Sequence, residues 1–463
     1  MSGCFRYSFL LGMVLTLAVG PVAVRPVAGA DRPERHVVLI SIDGFPADYL
    51  HDPSAPVINI RRLAALGASA KGMTVSNPSV TWPNHTSLVT GVRPETHGVM
   101  FNGVLEWSPG LPVKVNPRKD RADMVYAPAI DEVLHRAGQT VASINWPCTR
   151  NAKSIDFDFP DVPETFEHTT PAFLEELKAA GVLSDERIEG FMKLSVAARD
   201  TTWTDAAIHA IQTHKPNLVL LHLLNVDAVH HKYGPGSWAG HSALGFADAC
   251  VGRVVEAVRE AGMLERTTFL IVADHGFMSI PKTLQPNVLL REAGLLTVEG
   301  GKAVTARAHV YPEGGVGMLY LTVPEKADED RQQVLELFRG KEGIADVLTP
   351  ERFAELGLPL PTENRHMADL ILVGKDGYGF NGTASGDEFV IKSTSTLGTH
   401  GFLSTNPKMN AVFVASGAGI RQRDEVGVIE NIDVAPTIAR LLGVKLESAK
   451  GRVLEDILAG DGQ

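Results

Sequence analysis

The chain has 463 residues, with 43 Lys+Arg against 54 Asp+Glu, a formal net charge of −11 and 44% hydrophobic residues. A balance that acidic argues against a nucleic-acid-binding module, although it leaves room for a phosphorylated small substrate, because bound cations would set the local field. The length is too great for one small domain and points to a large α/β body carrying an insertion.

Residues 1–30 read as a secretory signal peptide. Arg6, the apolar run from Phe9 to Gly20 and Ala28-Gly-Ala30 before Asp31 supply the basic region, the apolar region and a small-residue cleavage site. An uncleaved anchor is the alternative, but the apolar run falls short of the ~20 residues that a membrane span needs. No later segment is long and apolar enough to span, so an exported protein, periplasmic or secreted, is expected. Without Arg6 and Arg25 the chain carries 41 basic and 54 acidic residues, a net of −13. Cys4 leaves with the signal; Cys148 and Cys250 either form one disulfide in an oxidising compartment or remain two buried thiols.

His36–Ile42 is a continuous apolar run, the pattern of a buried parallel strand. It ends in Asp43-Gly44-Phe45, and ligands of open α/β sheets bind at that edge. Pro56–Gly67 reads as a helix. From Asn77 to Gly91, Pro78 and Pro83 mark a loop feeding a short helix, with Pro83 in the first turn. Thr81 then stands at or just before the helix N-terminus, where free N–H groups and the positive dipole end favour an anion. A helix is predicted over 129–137, a strand over 140–145, a surface loop over the acidic, Pro-punctuated stretch 156–171, and helices over 171–181, 187–198 and 201–214. A second buried strand, Pro216–Asn225, has Asp227 just past its end and His231 four residues later. A helix over 242–261 leads to a third apolar strand, Thr267–Ala273, ended by Asp274-His275-Gly276. Between 281 and 395 the texture changes to alternating strands around a charged helix, Lys326–Arg339, which reads as a smaller α+β insertion. The body, 31–280 and 396–463, resumes with a strand over 411–415 and a helix over 433–442. The expected fold is a mostly parallel central sheet flanked by helices.

Asp43, Asp227 and Asp274 thus lie along one sheet edge, with His231 and His275 nearby and His400 in a Gly-flanked turn. This mix of carboxylate and imidazole suits borderline divalent cations, Zn²⁺ above all. Two such ions fit the two-metal pattern of phosphoryl transfer, and a metal ion is what turns a hydroxyl such as that of Thr81 into a nucleophile. Singly, each has a plainer reading: a strand-end Asp caps a helix or turn, and His97 either caps a turn or hydrogen-bonds behind a ligand. His36, His51, His85 and His230 read as ordinary surface or core residues. Phe45 and Trp82 either line a substrate pocket or pack in the core. Arg150 and Lys153 either face a terminal phosphate or are surface charge.

Together, Val38-Leu-Ile-Ser-Ile-Asp43-Gly-Phe45, Thr81-Trp-Pro-Asn-His85, Gly91-Val-Arg-Pro-Glu-Thr-His-Gly98 with Asn102, Asp227 to Pro235, Asp274-His-Gly-Phe277 and Gly398-Thr-His-Gly-Phe402 resemble the alkaline phosphatase superfamily. Within it they are most similar to the nucleotide pyrophosphatase/phosphodiesterase (type I phosphodiesterase) family, in that family's order and over nearly the whole chain. The resemblance implies two Zn²⁺ sites: Asp43, Asp274 and His275 with Thr81 at one ion, and Asp227, His231 and His400 at the other. It implies attack by Thr81 on phosphorus to give a phosphothreonine, with the Asn102 amide on a non-bridging oxygen, so that phosphodiester or pyrophosphate bonds are hydrolysed. A phosphate monoester or a phosphonate such as phosphonoacetate is the alternative substrate. The chain departs from the family in having Val80, not Lys, before Thr81, and it lacks the Cys/Ser-x-Pro-x-Arg of sulfatases.

Overall fold

The computed structural model describes residues 1–3 and 34–460; the expected signal peptide, 1–30, lies outside the described residues beyond its first three positions. The folded unit begins at Arg35. Its elements open with strand β1 (His36–Ile42), helix α1 (Ile58–Leu66), strand β2 (Ala68–Ser69) and helix α2 (Thr81–Thr90). Then come β3 (Val141–Ile144), β4 (Phe157–Phe159), α3 (Pro171–Ala179), α4 (Val196–His214), β5 (Leu218–Leu223), α5 (Asn225–Tyr233), α6 (Trp238–Glu260) and β6 (Thr267–Val272). An excursion contributes β7 (Ala308–Glu313), β8 (Val316–Leu321), α7 (Ala327–Phe338), β9 (Ile344–Leu348) and β10 (Leu370–Gly374) before β11 (Phe413–Gly417) and α8 (Val434–Leu441).

The central sheet has the order β2-β11-β6-β1-β5-β3-β4. β6, β1, β5, β3 and β4 run parallel, while β11 joins β6 antiparallel at one edge and the two-residue β2 pairs antiparallel with β11 in turn. Every residue of β1, β5 and β6 is buried, as expected of parallel strands covered on both faces. The register pairs Ile42 with Leu223 and Ser41 with Val272, so the three strands end level and deliver their next residues to one edge. Helix α6 packs against both α4 and α1. Buried Asp248 of α6 accepts from the N–H groups of Asn59 (3.0 Å) and Ile60 (2.9 Å). It thereby satisfies donors that open the first turn of α1 from a distant part of the chain.

The excursion forms a separate antiparallel sheet, β7-β8-β10-β9, with an apolar cluster around Val310, Leu319, Val334, Phe338 and Leu370. A second cluster joins Met100, Phe101 and Leu105 to Val316, Met318 and Phe353, so the other face of this sheet packs on the stretch that follows α2.

Two expectations are corrected. The stretch 156–171 is not a surface loop. Phe157 and Phe159 flank Asp158 in β4, which pairs in parallel with β3, and Phe159 is fully buried; the acidic and proline residues lie around a short apolar-alternating edge strand. The helices expected over 187–198 and 201–214 are also drawn differently, because 196–214 is one helix, capped by the Ser195 hydroxyl at Ala198 N (3.2 Å). Cys148 and Cys250 are separate buried thiols.

Burial pushes His97 down to about 3 and His309 to about 4, from an ordinary 6.5. Both are therefore neutral in the fold and titrate higher in the unfolded chain, so unfolding takes up protons and stability falls as the pH drops from 6.5 towards those values. In urea titrations the unfolding midpoint is expected to fall across this window, and less steeply in His309→Asn. An equal slope in the variant would rule His309 out as a contributor.

Candidate catalytic and metal-binding site

The level strand ends place Asp43 after β1 and Asp274 after β6 at one edge, while the segment after β5 turns directly into α5. Asp227 lies in the first turn of that helix and His231 one turn on, so the i,i+4 spacing puts both on one face. Asp200, buried within α4, accepts from Leu224 N (2.9 Å) and Asn225 N (3.0 Å) and so fixes the start of α5. Burial raises its carboxyl to about 6. Gly44 holds φ +66°, donates its N–H to Asp274 Oδ1 (3.1 Å), and would bring a Cβ to 2.9 Å from the Phe277 ring. A side chain is thus excluded twice over at the turn that separates the two carboxylates.

Three metal-type groups result at this edge among the described residues: Asp43, Asp274 and His275, all buried; His85, His222 and Asp274, also buried and sharing Asp274 with the first; and Asp227, His231 and His400, partly open. The His275 and His400 rings stack with centroids 3.7 Å apart, which makes the first and last of these groups neighbours. Each imidazole is oriented by a backbone carbonyl: His275 Nδ1 faces Gly276 O (3.1 Å), His231 Nδ1 faces Gly398 O (3.0 Å) and His400 Nδ1 faces Ser79 O (2.9 Å). A carbonyl only accepts, so Nδ1 carries the hydrogen and Nε2 presents a lone pair. Those lone pairs face carboxylate oxygens. His275 Nε2 is 3.4 Å from Asp43 Oδ1 and 3.3 Å from Asp274 Oδ2. Asp227 Oδ1 lies 3.3 Å from His231 Nε2 and 3.7 Å from His400 Nε2.

Lone pair against anion is repulsive unless a cation lies between. Ligand atoms about 3.3 Å apart are the edges of a tetrahedron with metal–ligand bonds of about 2.0 Å. Asp43 Oδ1, Asp274 Oδ2, His275 Nε2 and Asp227 Oδ1 are buried without a hydrogen-bond partner among the described residues, although their companion atoms are tied. Asp274 Oδ1 accepts from Gly44 N (3.1 Å) and His275 N (3.0 Å), and Asp43 Oδ2 lies 3.0 Å from His222 Nε2. Burial, reinforced by Asp227, pushes Asp43 well above the usual carboxylate range, and burial with Asp43 beside it does the same to Asp274. Burial with His400 adjacent pushes His275 well down, and burial with His231 takes His400 to about 4. Crowded carboxylates lacking a counter-charge, beside imidazoles held neutral, are a donor set that fits divalent metal ions.

Thr81 opens α2, with Val80 extended before it. Of the first-turn donors, Pro83 has no N–H and the Trp82 N–H is taken by Asn102 Oδ1 (2.9 Å), which leaves the N–H of Thr81 itself. That contact also orients the Asn102 amide, and Asn102 is solvent-exposed. The loop is pinned by Asn84, fully buried, whose Oδ1 accepts from Ser76 N (2.7 Å) and Asn431 Nδ2 (2.8 Å) while Nδ2 donates to Pro78 O (3.1 Å) and Val80 O (2.8 Å). Ser79, two residues before Thr81, carries the carbonyl that orients His400, so the Thr81 loop and the Asp227–His231–His400 group share a strut. His97 lies 3.0 Å from the Ser87 hydroxyl and accepts Val99 N (3.1 Å), bracing the back of α2.

Of the two readings open for Phe45 and Trp82, pocket lining or core packing, both side chains show the packed arrangement. Phe45 is fully buried in the main core beside Tyr49. Trp82 is 5% exposed, in a cluster with Val99, Met124 and Cys148, and its indole N–H donates to Asp161 (3.3 Å). Arg150 is held by Asp120 (3.0 Å), and Lys153 is exposed. The sequence reading also passed over His222, His85 and His230. His222 braces Asp43, and its ring lies 4.1 Å from that of His85. His85 reaches from Thr81 O (2.9 Å) towards Asp274 Oδ2 (3.7 Å), and His230 Nδ1 faces Gly44 O (3.2 Å). The available signal was a histidine inside the otherwise apolar run of β5, where a buried polar side chain demands a partner.

A family model described as type I phosphodiesterase / nucleotide pyrophosphatase matches residues 37–403. Ectonucleotide pyrophosphatase/phosphodiesterase family member 3 of Rattus norvegicus is 22% identical over 426 residues, covering 90% of this chain and 43% of the relative. Venom phosphodiesterase 2 of Crotalus adamanteus is 24% identical over 421 residues, covering 88% of this chain and 45% of the relative. The chain thus spans less than half the length of these curated relatives. The solved structure of murine ectonucleotide pyrophosphatase / phosphodiesterase 5 superposes with a TM-score of 0.68 at 20% identity, over 92% of this chain and all of that one. An inactive form of the murine protein in complex with AMP matches equally. At this identity the match establishes the fold, an alkaline-phosphatase-like mixed sheet flanked by helices.

Because Asn84 uses all of its hydrogen-bonding capacity in a buried site, Asn84→Ala leaves the Ser76 N–H unpaired. A destabilisation of about 1–3 kcal/mol is expected in urea unfolding, and an unchanged midpoint would show that the loop is held by other contacts.

Proposed function

This chain belongs to the type I phosphodiesterase / nucleotide pyrophosphatase family, and from that membership we propose that it is an exported, two-zinc hydrolase of phosphodiester or pyrophosphate bonds acting through Thr81. The observation that carries the reading is the convergence of unpartnered Asp43, Asp274, His275 and Asp227 atoms at the sheet edge that also bears the Thr81 loop. Asp43, Asp274 and His275 would hold one Zn²⁺, and Asp227, His231 and His400 the other. Bound there, the pair would lower the pKa of a hydroxyl and offset charge on phosphoryl oxygens.

The protein's own residues do the rest. Thr81 Oγ1 attacks phosphorus in line, forming the Thr81 O–P bond as the bond to the leaving oxygen breaks; water then cleaves the phosphothreonine and restores the hydroxyl. The Asn102 amide, oriented by its bond to Trp82 N, donates to a non-bridging oxygen, and the Thr81 N–H adds a second donor at the positive end of α2. Body 31–280 with 396–463 carries this chemistry, and 281–395 acts as a cap that shapes the substrate side. A nucleotide is the favoured substrate class, given the relatives' names and the AMP bound by the murine protein. Export is supported by the apolar stretch after Arg6, by relatives named as ecto and venom enzymes, and by no helix among the described residues being long and apolar enough to cross a membrane.

Thr81→Ala is expected to abolish turnover of a bis-aryl phosphate, while Asn102→Ala lowers kcat/KM by about 10²–10³-fold. Full activity in Thr81→Ala would overturn the nucleophile assignment. Exhaustive chelation should also abolish turnover, with Zn²⁺ restoring it and two equivalents bound at this site. A higher kcat/KM for an aryl phosphate monoester or phosphonate than for the diester would move the substrate class while leaving the site intact.

A further inference from the structure

A further group with metal-ligand chemistry lies away from the sheet edge. Glu176 of α3 and His209 and His214 of α4 bring one ligand atom each within 4.8 Å of one another. A single carboxylate oxygen, Glu176 Oε2, is approached by both imidazoles: His214 Nε2 at 2.5 Å and His209 Nε2 at 3.6 Å. The second distance is too long for a hydrogen bond, and His209 Nε2 is buried with no partner among the described residues. It is also close to the edge of a tetrahedral ligand shell, about 3.3 Å.

The group is built on rigid elements. Phe173 and Leu177 anchor α3 in the core on either side of Glu176. The His214 ring stacks on Phe157 of β4, with centroids 4.0 Å apart and planes within 19°. Phe157 in turn packs on Phe173 (5.7 Å). Side-chain exposures of 36% for Glu176, 18% for His209 and 23% for His214 leave one side open to solvent, where water would complete the coordination.

We propose that Glu176, His209 and His214 form a peripheral site for a divalent transition-metal ion of Zn²⁺ type, clamping the C-terminal end of α4 to α3. Two imidazoles and a carboxylate, three protein ligands with a fourth position open to water, suit Zn²⁺ and disfavour Ca²⁺ or Mg²⁺, which prefer all-oxygen shells. Binding needs the His214–Glu176 hydrogen bond to open, so that both Nε2 atoms and the carboxylate turn towards one point. The clamped helix is the one whose Asp200 caps α5. This site is independent of the catalytic metal reading, because its ligands lie on other elements and touch none of those residues.

The test uses the untagged full chain, dialysed against buffered free Zn²⁺, with metal per chain measured by elemental analysis for wild type, His209→Gln and Glu176→Gln. Both variants are expected to hold one equivalent fewer than wild type and to keep diester turnover. Cu²⁺ substituted at this site should show nitrogen hyperfine structure from two imidazoles, reduced to one in His209→Gln. Equal metal content in wild type and in a variant that retains turnover overturns the proposal and leaves a histidine–glutamate hydrogen bond. Should the catalytic reading fail, the one-equivalent difference would persist, so the two failures are distinguishable.

Discussion

Three carboxylates and three imidazoles meet at the end of a buried parallel sheet, and their lone pairs point at one another. Taking such groups out of water is costly, and it is tolerable only where each atom has a hydrogen bond or a cation. The fold meets half of this demand itself: Asp274 Oδ1 takes two backbone N–H groups, Asp43 Oδ2 faces His222, and His231, His275 and His400 are each oriented through Nδ1 by a carbonyl. The atoms left over are those that converge. An arrangement that aligns like-signed groups so closely makes sense as a cradle for divalent ions, and the rest of the site is arranged around keeping it rigid.

Rigidity comes from short cross-links between elements distant in sequence. Ser79 O orients His400 and also accepts Gly401 N (3.0 Å), so the loop that presents Thr81 cannot shift without moving a metal-type ligand. Gly401, at φ +78°, has the Glu313 carbonyl 1.6 Å from where a Cβ would stand, and Gly315 N donates to His400 O (2.8 Å). The β7–β8 turn of the excursion is thereby seated directly on the His400 turn. The excursion is in this way joined by backbone contact to the Asp227–His231–His400 group.

Much of this was legible in the chain. Continuous apolar runs marked β1, β5 and β6 because strands covered on both faces have no polar side to alternate with. Asp43 and Asp274 stood out as charges ending such runs, and Pro83 with Gly91 bracketed α2 through well-understood cap chemistry. What failed to read was anything that needs a partner. Phe45, two residues after Asp43, reads equally as a pocket or a core residue, and only the fold shows it in the core. His222, His85 and His230 looked ordinary because a histidine's use depends on which atoms surround it. β4 was hidden by its acidic, proline-rich flanks, since an edge strand of three residues carries too little pattern to rise above them.

The sequence by itself determined the parallel α/β class, the positions of the three strand-end or near-strand carboxylates, the helix start that carries Thr81 and the family. These rest on local physics: hydrophobic periodicity, capping and the chemistry of residue types. Only the tertiary structure decided which lone pairs meet, that Asn102 spends its oxygen on Trp82 N, and that Glu176 joins two histidines from another helix. Such facts concern atoms brought together across long stretches of chain, where the geometry of the whole sheet, and no local preference, sets the distance.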